Sequence, residues 1–194
     1  MSDSFDKQAL RSASLRIRAG ITPQAAAAFA ERLAKIGPEL ARAHDAQTVS
    51  AFFSIGDEPP TLPLLHALHG AGFEVALPVT GQRGVPLTFR RWTPAMEMVP
   101  GRMNIPEPPA EAEVLNPDVL FVPLAAFDRR GHRIGYGAGF YDLTLAALRP
   151  IKDVVAIGVA FAEQEVLFIP EEAHDEPLDV IVTDKDTIVC TDAG

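Results

Sequence analysis

The sequence predicts a three-layer α/β domain with a mainly parallel central sheet and a helical amino-terminal quarter. Three observations predict it. Short β-branched and aromatic runs recur along the chain, at Thr48 to Ser54 (TVSAFFS), Phe73 to Val79, Asp118 to Pro123 (DVLFVP) and Val154 to Phe161. They lack the polar alternation of a half-exposed strand, as expected for strands covered on both faces. The first two flank a helix-length segment, which reads as a βαβ unit with a right-handed crossover. Finally, 194 residues at 47% hydrophobic and 22% charged suit a single domain spanning 1–194. A chain of that length buries roughly 70% of its unfolded surface, so it needs no metal or disulfide scaffold.

The elements follow in order. From Ser4, Phe5, Leu10 and Ile17 fall at roughly helical intervals among Lys7, Arg11, Arg16 and Arg18, and Gly20 is a plausible stop. Thr22 followed by Pro23 is a cap and a first-turn proline, opening an Ala-rich helix whose expected end is Gly37. Phe29, Leu33 and Ile36 give that helix a buried stripe. After the Thr48 to Ser54 strand comes a Gly-Asp-Glu-Pro-Pro turn, then a helix opened by Thr61 and closed by Gly70. Pro86 to Trp92 reads as a strand with one polar face. Pro94 to Pro117 carries six of the 17 prolines and reads as an elaborated loop. A helix begins near Phe140, and Val180 to Thr183 and Thr187 to Cys190 supply short terminal strands. No internal repeat or dividing linker is evident.

Composition narrows the function classes. Lys+Arg 17 against Asp+Glu 26 gives a net charge of −9, which argues against a nucleic-acid partner, whose phosphates demand a basic footprint. A single cysteine, Cys190, excludes an internal disulfide and a Cys-based zinc site. No apolar run reaches the ~18 residues of a membrane span, and the amino terminus lacks the apolar core of a signal peptide. The expectation is a compact cytoplasmic protein, a monomer or weak homo-oligomer.

The densest chemical signal follows the DVLFVP run. Gly131, Gly135, Gly137 and Gly139 lie within nine positions, just before a helix. Such a segment offers backbone N–H groups and a helix amino terminus to an anion, and phosphate is a natural guest. Arg129, Arg130 and Arg133 add local positive charge, and Asp142 is placed either to cap the helix or to hold magnesium. The same residues also read as a flexible turn with surface arginines. No Gly-Lys-Ser/Thr and no G-x-G-x-x-G occurs. Serine-hydrolase chemistry is unlikely, because no G-x-S-x-G occurs and no serine follows Ser54. His66 and His69 share a helix face without a third ligand.

The stretch F-D-R-R-G-x-R-x-G-Y-G-x-G-F-Y-D, Phe127 to Asp142, resembles the signature of the 5-formyltetrahydrofolate cyclo-ligase family. Further segments match in the family's order: K-x-x-L-R at Lys7 to Arg11, the acidic turn with Glu58, and Pro106-Glu107-Pro108. Gln164 to Val166 and H-D-x-P-L-D at His174 to Asp179 complete the series. Two positions depart from the pattern: Ala138, where glycine or a basic residue is usual, and Phe140, where tyrosine is usual.

The resemblance implies a Rossmann-like fold of the kind shared with sugar isomerases and CoA transferases. It also implies ATP-dependent closure of 5-formyltetrahydrofolate to 5,10-methenyltetrahydrofolate. Lys7, Arg11 and Arg133 would then meet the ATP phosphates, with Lys7 and Arg133 catalytic. Ile134, Gly135, Tyr136, Gly137, Ala138, Gly139, Phe140 and Tyr141 would complete the nucleotide site. Glu58 would bind the pterin, Trp92 and Tyr141 would supply aromatic walls, and Asp142 and Asp179 would hold magnesium. Arg90 and Arg91 read either as a site for the glutamate tail or as a solvated strand face. The competing readings are a folate-binding protein without turnover and, on fold analogy alone, a sugar-phosphate isomerase-like enzyme.

Overall fold

A computed structural model describes the backbone of residues 2–191 and the side chains of 7–102 and 104–191; the Phe5 side chain lies outside the described residues. The elements are α1 (Ser2–Arg18), α2 (Pro23–Ala43), β1 (Thr48–Ser50), α3 (Leu62–Gly70), β2 (Glu74–Val79), β3 (Thr88–Arg91) and β4 (Val99–Pro100). They continue with β5 (Pro106–Glu107), β6 (Val114–Leu115), β7 (Val119–Pro123), β8 (Ala126–Phe127), β9 (Arg133–Ile134), α4 (Phe140–Leu148), β10 (Val155–Val159), β11 (Val180–Val182) and β12 (Thr187–Val189).

Eight strands form the main sheet in the order β12-β11-β10-β7-β1-β2-β3-β6. The five from β11 to β2 run parallel, and β12, β3 and β6 are antiparallel additions at the two edges. The expected mainly parallel sheet is therefore present. Its order reverses between β1 and β7: the chain leaves β1 toward β2 and returns on the other side. That reversal opens a crevice beyond the carboxyl ends of the strands.

Period-2 alternation on β7 splits the core into two layers. Val119 and Phe121 face Phe29 and Leu33 of α2 and Leu64, Leu65 and Leu68 of α3. Leu120 and Val122 face Leu145 and Leu148 of α4. A third, smaller cluster joins Leu10 and Leu15 of α1 to Ala125, Ala126, Ile134 and Ile169, which docks the amino-terminal helix beside the β8–β9 hairpin. Among the described residues no helix is long and apolar enough to cross a membrane.

Two local expectations are corrected. The first strand stops at Ser50, and Phe52 and Phe53 leave the ladder to line a cavity. The second helix does not end at Gly37; it runs through Gly37 and Pro38 to Ala43. Its start is as expected, with Thr22 capping through a bond from the Ala25 N–H at 3.2 Å. Gly37 persists in the helix because the neighbouring layer leaves no room for a side chain. A Cβ there would lie 2.2 Å from Leu64 Cδ1 and 3.5 Å from the Phe121 ring. Close helix–helix approach, not helix termination, explains this glycine.

Gly37→Val is therefore expected to lower unfolding free energy by about 1–3 kcal/mol through overpacking, measured as a drop in the urea midpoint. An unchanged midpoint would show that α2 and α3 are looser than the geometry indicates.

Candidate active site

A cavity of about 410 Å³ opens at the carboxyl ends of β1, β2 and β7, at the reversal of strand order. Phe52, Phe53, Leu77 and Pro78 give it an apolar floor, and the proline-rich segment contributes Ile105, Pro106 and Glu107. Opposite them lie Arg133 and the segment from Gly135 to Asp142, apart from Gly137.

That segment is shaped by backbone conformation. Gly137 (φ 91°) and Gly139 (φ 67°) both sit in the left-handed region, which other residues enter only under strain. Gly139 is the N-cap of α4 and, having no side chain, supplies no capping oxygen to the first-turn N–H groups of that helix. Phe140, Tyr141 and Asp142 of this first turn line the cavity, and a helix amino terminus at that place favours an anion.

Arg133 anchors the turn from below. Its side chain is 5% exposed, with Nη2 bonded to Asp142 Oδ1 at 2.7 Å and Nη1 donating to the Glu176 carbonyl. Burial lowers its pKa, against the raising influence of Asp142 and Asp175. Asp142 Oδ1 also accepts the Glu176 N–H at 3.2 Å, while Oδ2 has no partner among the described residues. From the α1 side, Arg11 Nε donates to the Gly135 carbonyl at 2.7 Å, and its guanidinium lies against Gly137.

Glu58 closes the other end. Its turn is braced by Ser54 Oγ, which bonds the Pro59 carbonyl at 2.7 Å and the Thr61 N–H at 2.9 Å. The carboxylate is 6% exposed and accepts the Ile55 N–H at 2.9 Å and the Tyr136 hydroxyl at 2.5 Å. Burial raises its pKa above the ordinary range, although Tyr136, Ile55 and Arg18 all pull it down. Tyr141 stands nearby with a buried hydroxyl that has no partner among the described residues.

The structure thus brings Glu58, Arg133, Gly135, Tyr136, Ala138, Gly139, Phe140, Tyr141 and Asp142 around one cavity. Other expected residues lie elsewhere. Trp92 is buried among the α2–α3 core residues with His66 and His69 edge-on to its ring at 5.5 and 6.4 Å, so it forms no wall of the site. Asp179 bonds the Ala156 N–H at 2.7 Å near the start of β10, at the amino ends of the parallel strands, and Arg149 at 3.1 Å. It does not line the cavity, which corrects its placement as a metal ligand beside Asp142. Ile134 points into the small core under α1, and only its backbone belongs to the turn. Lys7 is held by Asp175 at 2.7 Å and Glu172 at 3.1 Å and does not line the cavity. Arg91 pairs with Glu74 and Glu113, and Arg90 bonds the Ala110 and Ala112 carbonyls, which fits the solvated-face reading. Burial pushes the Cys190 thiol up to about 12, consistent with an inert cysteine.

Two lining residues, Glu107 and Arg83, and one residue behind the lining, Arg18, escaped the sequence reading. Glu107 is buried, with Oε1 on the Thr80 N–H at 2.9 Å; its Pro-Glu-Pro setting marked the place but not the role. Arg83 lines the cavity from the loop after β2, and nothing in its neighbourhood distinguishes it from a surface arginine. Arg18 is buried at the end of α1 and bonds Tyr136, a contact invisible to helical periodicity.

The model of the 5-formyltetrahydrofolate cyclo-ligase family matches residues 3–184. The chain belongs to that family. The 5-formyltetrahydrofolate cyclo-ligase of Escherichia coli (strain K12) is 38% identical over 151 residues, covering 75% of this chain and 81% of the relative. The cyclo-ligase of Haemophilus influenzae is 31% identical over 186 residues, covering 91% and 97%. The NMR structure of 5,10-methenyltetrahydrofolate synthetase from Aquifex aeolicus superposes with a TM-score of 0.79 at 28% identity, covering 97% of this chain and 94% of that one. The three-layer arrangement is thus the fold of this cyclo-ligase family.

The Arg133–Asp142 pair makes a stability prediction. Asp142→Ala leaves a buried guanidinium with only the Glu176 carbonyl as partner and is expected to destabilise the fold by about 3–5 kcal/mol, read by chemical denaturation. A loss below about 0.5 kcal/mol would return Asp142 to the status of an exposed cap.

Proposed function

We propose that the chain cyclises 5-formyltetrahydrofolate to 5,10-methenyltetrahydrofolate with cleavage of ATP to ADP and phosphate. One observation carries this reading: a single cavity has an anion-seeking glycine turn on one side and a buried carboxylate, Glu58, on the other. Family membership adds the chemistry and removes support from the isomerase alternative, which rested on fold alone.

The chemical problem is the formamide oxygen, a poor leaving group. Transfer of the γ-phosphoryl group to it converts the formyl carbon into an iminium phosphate. The neighbouring anilino nitrogen then attacks that carbon and phosphate departs. The protein's task is to align two anionic guests and neutralise charge on the phosphoryl group in transit. Gly135 to Tyr141 would receive phosphate oxygens through backbone N–H groups, with Arg133, Arg11 and Lys7 supplying positive charge. Lys7 would exchange its present partners, Asp175 and Glu172, for a phosphate. Glu58 would accept the paired N–H donors of the pterin, and the Tyr141 ring and hydroxyl would face the folate. Ala138 and Phe140, the two departures from the family pattern, line the cavity without removing any backbone donor.

The reading includes magnesium as the counter-ion of ATP and a cytoplasmic setting. Asp142 fits the metal by its unpartnered Oδ2, and Mg²⁺ typically takes one or two protein carboxylates with water and phosphate oxygens filling the rest. When bound, the ion would supply further charge neutralisation on the triphosphate.

In an absorbance assay, the methenyl product is expected only when ATP and magnesium are both present; no product at any enzyme concentration overturns the proposal. Lys7→Ala should raise the KM for ATP by about 10- to 150-fold, the equivalent of a lost charge-assisted phosphate contact of roughly 1.5–3 kcal/mol. Glu58→Gln should instead raise the KM for 5-formyltetrahydrofolate with little change for ATP. Equal loss of folate affinity in both variants would contradict this division of the cavity.

A further inference from the structure

The Glu58 carboxylate is not free to turn. Oε2 accepts the Ile55 N–H at 2.9 Å, and Oε1 accepts the Tyr136 hydroxyl at 2.5 Å. That hydroxyl in turn accepts Arg18 Nη1 at 2.6 Å. The direction of this chain is forced by the groups in it. A guanidinium only donates, so it occupies a lone pair of the tyrosine oxygen and sends the phenolic proton toward Glu58. Arg18 is itself buried at the end of α1, its Nε without a partner among the described residues. The Tyr136 ring is partly exposed, so packing alone does not account for the placement of its hydroxyl.

A carboxylate oxygen accepts two hydrogen bonds. With one position on each oxygen already filled, one remains on each. We infer that Tyr136, braced by Arg18, is a positioning residue that fixes the plane of the Glu58 carboxylate so that its two remaining acceptor positions meet adjacent N–H donors of the substrate ring. The inference rests on the reading of Glu58 given under Proposed function, and deepens it. It also gives Tyr136 a double place: its backbone belongs to the glycine turn, while its hydroxyl serves the opposite end of the cavity.

Hydrogen bonding from Tyr136 and the charge of Arg18 favour ionised Glu58 against the raising effect of burial. The titratable or charged groups facing Glu58 are Arg18 from α1, Tyr136 from the turn and Tyr141 from the first turn of α4. Removing the Tyr136 hydroxyl therefore raises the Glu58 pKa further. A pterin that binds the ionised carboxylate is lost as pH falls through that pKa, so the acid limb of folate kcat/KM moves to higher pH.

The test measures kcat and KM for 5-formyltetrahydrofolate across pH in wild type, Tyr136→Phe, Glu58→Gln and the double variant. Tyr136→Phe is expected to raise folate KM roughly three- to tenfold with kcat changed less than KM. It should also shift the acid limb upward. In the Glu58→Gln background the same substitution should add less than about twofold, because it acts through a carboxylate no longer there. An unmoved acid limb, or an undiminished penalty in that background, overturns the inference. Where thermal melting shows Tyr136→Phe to be unfolded, Arg18→Gln decides: an upward shift of the same limb supports the inference, and an unshifted limb overturns it. A wild-type chain that makes no product overturns the parent reading and this one together, whereas an active wild type indifferent to Tyr136→Phe overturns this one alone.

Discussion

A buried guanidinium needs a counter-charge, and at Arg133 that need organises the whole cleft. With its side chain nearly sealed and Asp142 at 2.7 Å, the residue ties the start of the glycine-rich turn to the first turn of α4. Between these two fixed points the chain has only the path that positive φ at Gly137 and Gly139 permits. Replacing an ion pair of this kind by nothing is far more damaging than replacing it by matched apolar groups. The turn is thus held by electrostatics at its ends and by backbone conformation in its middle. Arg11 fastens the same turn from α1 through the Gly135 carbonyl.

The sheet explains why this turn faces a cavity at all. Five parallel strands deliver their carboxyl ends to one rim, and the reversal between β1 and β7 leaves a gap there. The chain fills that rim with the Glu58 turn after β1, the loop after β2 and the glycine turn that follows the β8–β9 hairpin beyond β7. Groups far apart in sequence, such as Arg18, Glu58 and Tyr136, meet only because the rim gathers them. Lys7, outside the cavity lining, has its charge matched by Asp175 and Glu172 from within the chain.

Much of this was legible in the sequence, and the failures have physical causes. Continuous apolar runs marked the central strands, since strands covered on both faces carry no polar alternation. The glycine spacing and the start of α4 were legible because backbone conformation is a local property. Gly37 misled because glycine serves close packing as well as helix termination, and only the opposing Leu64 distinguishes the two. Trp92 and Asp179 were misplaced for a related reason. Residue type advertised an aromatic wall and a metal ligand, but the direction of the side chain is set by strand register and by which end of the sheet the residue occupies. Trp92 turned into the α2–α3 layer, and Asp179 went to the amino ends of the strands. Arg83 and Glu107 carry ordinary local sequence and acquire meaning only from the cavity they line.

Amide NMR on uniformly labelled protein, titrated with ADP and magnesium, tests the central assignment most directly. The largest chemical-shift changes are expected on the N–H groups of Gly137 to Tyr141, in the glycine turn and at the start of α4. Largest changes at the amino ends of the parallel strands, around Ala156 and Asp179, with the glycine turn unmoved, would contradict it.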